Sequence, residues 1–96
     1  MTLRLVWRAA AQADLREITA YAVVQDAAFA RDLTDRIQAC AESLADHPYL
    51  FPTGRIAGTR EALVHPNYTL VYRADEDTVE IAGVLHTCRE YPPAGE

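Results

Sequence analysis

The sequence contains no lysine: all nine of its basic residues are arginine. It also lacks any apolar run of about 18 residues or more, which excludes a membrane-spanning helix. Its two cysteines, Cys40 and Cys88, stand far apart, and the three histidines (His47, His65, His86) are just as scattered. No metal-ligand spacing arises from them, and no cofactor motif is present; two reduced thiols are the expectation. Repeats and low-complexity stretches are missing. The first ten residues carry Arg4 and Arg8 around Leu5-Val6-Trp7, too short an apolar stretch for a secretion signal, so the expected location is cytoplasmic. A net charge of −5 excludes nucleic-acid binding driven by bulk positive charge. The arginine-only bias has two readings: a GC-rich genome, or a local site built from a side chain whose planar fork suits carboxylate and phosphate.

What the chain does have is material for a core. Half of its 96 residues are hydrophobic, and that length holds one domain, residues 1–96. Residues Thr2 to Trp7 are rich in strand formers and read as a first strand. Apolar positions then fall at Ala11, Leu15, Ile18 and Ala22, a helical stripe that should end near Gln25. Asp26 is a good N-cap for a second helix, whose stripe runs Ala30, Leu33, Ile37, Ala41, Leu44. Pro48 pushes the residue before it out of the helical region and so ends that helix near Asp46-His47. With so short a joint, the two helices should form an antiparallel hairpin.

Residues 48–59, with two prolines and two glycines, read as a loop anchored by Tyr49 and Phe51. From Arg60 onward, three apolar runs alternate with two turn clusters, His65-Pro66-Asn67 and Asp75-Glu76-Asp77, the pattern of an antiparallel meander. Tyr68, Leu70 and Tyr72 share one face of its middle strand; Thr69, Val71 and Arg73 share the other. Gly83 interrupts the last run and marks a bulge or a close backbone approach. The fold class expected is α+β: a strand, a helical hairpin and an antiparallel β-meander, with the first strand added at the sheet edge.

Several runs of residues resemble the RelE/ParE superfamily of type II toxin–antitoxin toxins. The N-terminal Leu5-Val6-Trp7 with Ala11, Asp14, Leu15, Ile18 and Tyr21 is similar to the family's first strand and helix. Gly54-Arg55 followed by Gly58-Thr59-Arg60-Glu61 is similar to its "GR…GTREL", and Tyr68-Thr69-Leu70-Val71-Tyr72-Arg73 to its central strand. Val84-Leu85-His86 with Arg89, Tyr91 and Pro92 looks like its closing segment. The resemblance implies the fold above, a ParD-like antitoxin partner in a hetero-oligomeric complex, and one of two targets. ParE-like members poison DNA gyrase without chemistry of their own, whereas RelE-like members cut mRNA on the ribosome. A third alternative is a harmless member that only binds antitoxin. The antitoxin is expected to dock as an amphipathic helix or to add along a strand.

Cleaving RNA by 2′-hydroxyl attack needs a base, an acid and cations around the phosphate. The candidates are Arg60, Glu61, Arg73, His86, Arg89 and Tyr91, with Arg55 nearby. Gly83 stands where ParE-like members often carry a basic residue, which keeps the antitoxin-only alternative open. Against cleavage, Thr69 and Thr87-Cys88 stand where the nucleases of the family tend to carry basic or imidazole groups. The expectation is therefore ParE-like, with Arg73, His86, Arg89 and Tyr91 contacting the target. His86 is equally a packed histidine at a strand end, Arg73 a solvated sheet residue, and Arg60-Glu61 a cross-strand ion pair.

Overall fold

The computed structural model describes residues 2–86. Its elements are β1 (Arg4–Trp7), α1 (Ala9–Gln25), α2 (Ala27–Asp46), β2 (Arg60–His65), β3 (Tyr68–Ala74) and β4 (Thr78–His86). The strands form one sheet in the order β1-β4-β3-β2. The expected meander is there, β2 and β4 each antiparallel to β3. β1 takes the sheet edge, as expected, and runs parallel to β4, with Arg4 opposite Thr78 and Trp7 opposite Ile81. Its start is tied to the end of α2 by Leu3 N donating to Ala45 O (2.8 Å) and Thr2 Oγ1 to Asp46 Oδ1 (2.6 Å).

The hairpin turns on one residue. The Asp26 N–H closes α1 on Ala22 O (2.8 Å), while Oδ1 accepts from Ala28 N (2.9 Å) and Phe29 N (3.2 Å) at the start of α2. Asp26 thus satisfies backbone groups that both helix ends would otherwise leave unpaired. Asp26→Ala is expected to lower stability by about 1 kcal/mol, read by denaturant unfolding, while Asp26→Asn holds most of it.

All five stripe residues of α2 are buried, and Leu33, Ile37, Ala41 and Leu44 join the core cluster shared with the sheet. Facing them are Ala62, Leu70, Tyr72, Val79, Ile81 and Val84 from three strands. In α1 only Ala11 and Ala22 of the expected stripe are fully buried, with Leu15 and Ile18 partly covered. The rest of that helix leaves Tyr21, Val23 and Val24 exposed. No helix among the described residues is long and apolar enough to cross a membrane.

Both alternatives for Gly83 hold. Val71 pairs with Gly83 but Tyr72 pairs with Ile81, so Ala82 is an extra residue in β4, a β-bulge. At the same place Asp14 of α1 reaches in, Oδ2 accepting from Val84 N (3.1 Å), and a Cβ on Gly83 would lie 3.1 Å from that oxygen. The outer face of β3 departs from simple alternation: Thr69 and Val71 are buried as well as the core-facing residues. Thr69 lies between Leu63 and Leu85, and only Arg73 of that face is exposed.

Candidate functional site

Arg60 and Glu61 do not pair with each other. Neighbouring residues of a strand point to opposite faces, and here each is held on its own side. Arg60, opposite Tyr72, donates from Nη1 to Phe51 O (2.6 Å), with its guanidinium 5.1 Å from the centre of the Tyr49 ring. The predicted loop anchor Tyr49 therefore works through this cation–π contact, while Phe51 packs on the core.

Glu61 is clasped by Arg55 from the loop. Oε2 accepts from the Arg55 backbone N–H (2.9 Å), and the guanidinium closes on both oxygens, Nη2 to Oε1 at 3.0 Å and Nε to Oε2 at 3.2 Å. Burial alone would raise the carboxyl pKa. The side-chain and backbone hydrogen bonds from Arg55 and its charge outweigh that and hold it below the usual carboxylate range. Gly54 makes room for the clasp, since a Cβ there would lie 2.9 Å from Glu61 Cγ and 2.7 Å from Thr59 Oγ1.

A depressed folded-state pKa means stability that is present above the unfolded value, about 4.3, and lost as pH falls through the folded one. Glu61→Gln should thus cost about 1 kcal/mol at pH 7, an amount suited to a bidentate pair whose arginine is half in solvent. Denaturation curves of the two proteins should converge on acidification below the unfolded value. A gap of constant size would remove the charge from the account.

Arg73 sits on the outer face, at the far end of β3 from the His65 turn, as the alternation required. Its Nη1 lies 3.4 Å from Ala57 O, above Gly58, whose φ of +82° is the left-handed region that favours glycine. An open groove of about 500 Å³ runs from Arg73 across Thr78 and Glu80 to Arg4 and Val6. Arg8 adds a contact to Glu80 at 3.6 Å. Reasoning from the sequence missed Arg4 and Arg8 because nothing in a four-residue strand says which neighbour it pairs with. Once β1 lies beside β4, both arginines fall near Arg73.

His86 is elsewhere. It pairs with Tyr68, while Arg73 pairs with Glu80, so the two are about 15–20 Å apart along the strands. Its ring meets Tyr68 edge-on at 5.1 Å, Tyr68 meets His65 (5.8 Å), and His65 in turn meets Phe29 (5.4 Å). His86 is therefore half-buried at the end of a row of aromatic rings. A second groove, about 270 Å³, is lined by Glu17, Ile18, Tyr21, Tyr68 and His86.

Arg89, Tyr91, Thr87 and Cys88 lie outside the described residues. Cys40 is a free, half-buried cysteine whose thiol burial pushes up, away from the reactive thiolate. Among the described residues no group of three or more His, Cys, Asp or Glu is placed to hold a metal. The nuclease candidates that are described fall into four places: Arg60 under the loop, Glu61 with Arg55 beside it, and Arg73 and His86 at opposite ends of the sheet.

The sequence profile of the family described as "ParE toxin of type II toxin-antitoxin system, parDE" matches residues 5–91. No curated protein is similar enough in sequence to be matched. Among solved structures, a chain of the chromosomal ParDE toxin–antitoxin system from P. aeruginosa is similar, with a TM-score of 0.78 at 18% identity, over 88% of this chain and 96% of that one. The E. coli DinJ–YafQ toxin–antitoxin complex contains a chain with a TM-score of 0.66 at 13% identity, over 95% and 99% of the two chains. A chain of the Mycobacterium tuberculosis RelBE2 complex gives 0.56 at 25% identity, over 90% and 99%.

Proposed function

From the premise that this chain belongs to the ParE family, as a toxin component of a type II toxin–antitoxin system, we propose that it poisons DNA gyrase in the cytoplasm by binding, with no chemistry of its own. A ParD-like antitoxin neutralises it by forming a hetero-oligomer. One observation supports the non-catalytic reading: among the described residues, the candidate base, acid and cations for RNA cleavage are not gathered at one place. Glu61 has both carboxylate oxygens occupied by Arg55, and Arg60 is spent on a loop carbonyl and a tyrosine ring. Arg73 and His86 cannot flank one phosphate from opposite ends of the sheet.

Target contact is then the work of the outer face around Arg73, with Arg4 and Arg8 beside it; Arg89 and Tyr91, outside the described residues, are proposed as further contacts on the ground of the family resemblance alone. Arg89→Ala is expected to abolish toxicity while antitoxin binding persists; unchanged growth arrest would remove that segment from the contact. Inducing the protein without antitoxin tests the reading as a whole. Chromosome breaks and an SOS response with intact mRNA are expected. Ribosome-dependent mRNA cleavage with intact chromosomes would replace it by the RelE-type activity, and no growth effect would leave antitoxin binding as its sole function.

A further inference from the structure

Along α1, Asp14, Glu17 and Tyr21 follow one another at spacings of three and four, so they share a face. That face borders the end of β4. Tyr21 is 66% exposed, and Glu17 is exposed without an ion pair or hydrogen bond among the described residues. Between them and the sheet lies the 270 Å³ groove, walled by Tyr68 and His86 and floored in part by Ile18. A smaller cleft lined by Asp14, Glu17, Ile18, Val84 and His86 continues from it. Asp14 keeps its hydrogen bond from Val84 N but brings a second negative charge to the same end.

Two tyrosine rings, a histidine and the Glu17 carboxylate around one slot, with Asp14 in the cleft beside it, make a poor site for an anion or for a purely apolar side chain. They suit a planar cation. A guanidinium stacks on an aromatic face while its edge donates to a carboxylate, and it is more weakly hydrated than an ammonium. The chain's net charge of −5 adds long-range attraction for a basic partner. Beyond Tyr21, one further turn along α1, Val24 is 82% exposed, so apolar surface continues from the slot for the segment that carries the cation.

We propose that the Glu17–Tyr21–Tyr68–His86 slot is a guanidinium-binding site that receives an arginine side chain of the antitoxin. The identity of that partner rests on the function proposed above; the chemistry of the slot does not.

The first test uses arginine amide as the probe, with citrulline amide as its uncharged isostere, followed by NMR. Ring resonances of Tyr21, Tyr68 and His86 should shift saturably with arginine amide and not with citrulline amide. Glu17→Gln and Tyr21→Ala, both at exposed positions that leave the fold intact, should each weaken the response about threefold. Equal shifts with the two amides, or a response that Glu17→Gln leaves unchanged, would overturn the proposal. The second test measures affinity for the protein encoded beside the toxin gene. Glu17→Arg should weaken it at least about tenfold, the scale of a like charge placed against a buried cation. Wild-type affinity in that variant would also overturn the proposal, yet leave the toxin–antitoxin pairing standing. Absence of any binding by the unaltered protein would instead count against the pairing.

Discussion

Tyr72→Ala is expected to remove about 3–5 kcal/mol of stability, a large share of what a domain this size possesses. Tyr72 is fully buried, the largest side chain in the core to be so. It stands in the middle of β3, packed in the same cluster as Leu33, Ile37, Leu70 and Ile81. Truncation would leave a ring-sized void in a layer where helices and sheet meet, and packed interiors collapse only partly around such voids. The hydroxyl adds a second effect, donating to Pro48 O (3.1 Å) and so holding the loop after α2 against the sheet. Burial raises its pKa, opposed by a backbone hydrogen bond from Phe51 and the charge of Arg60, so the phenol stays protonated in ordinary buffers. Thermal unfolding should fall by roughly 15 °C or more for the alanine variant. Tyr72→Phe, which removes only the hydroxyl, should cost about 1 kcal/mol. Tyr21→Ala, the same truncation at an exposed position, should stay within about 0.5 kcal/mol. Similar losses at the two positions would contradict the assigned core.

Replacing Arg73 by glutamate is expected to weaken the proposed gyrase inhibition about thirtyfold, the scale of a central interface arginine. The side chain is exposed, and its one hydrogen bond among the described residues, to Ala57 O at 3.4 Å, is long, so the fold should survive. The reversal also places a carboxylate opposite Glu80, turning the groove from mixed charge to acidic. Supercoiling assays with purified protein give the inhibition, and far-UV circular dichroism checks the fold. Full inhibition by the variant would move the target contact away from the outer face.

The parts of this molecule that were legible in the sequence are those governed by local periodicity. Ala30, Leu33, Ile37, Ala41 and Leu44 form a stripe because a long isolated helix has one way to face a core. Asp26 declares itself because a short acceptor before an apolar run has one obvious use. The turn at Asp75, whose Oδ1 accepts from Asp77 N and Thr78 N at 2.8 Å, belongs to the same class. Illegible were the contacts made between elements. The clasp of Glu61 by Arg55 crosses from an irregular loop, where no period applies, and the expected Arg60–Glu61 pair ignored the alternation of the strand itself. The bulge at Ala82 has no periodic signal of its own, and the outer face near Thr69 and Val71 is buried where alternation alone would have left it open. The arginines of β1 joined the candidate site only once the strand order was known.

That strand order also sets a schedule. β1 is the first element made, yet its only strand neighbour is β4, the last strand of the sheet. The hairpin of α1 and α2 can close on itself as soon as it is synthesised, since its contacts are local. The parallel pairing of β1 must wait for β4 and then meet the entropy of closing a loop over most of the chain. Arg4 and Arg8 therefore reach their places beside Arg73 at the end of folding. A growing chain lacks its assembled outer face until β4 has been made, however early β1 and the helical hairpin are complete.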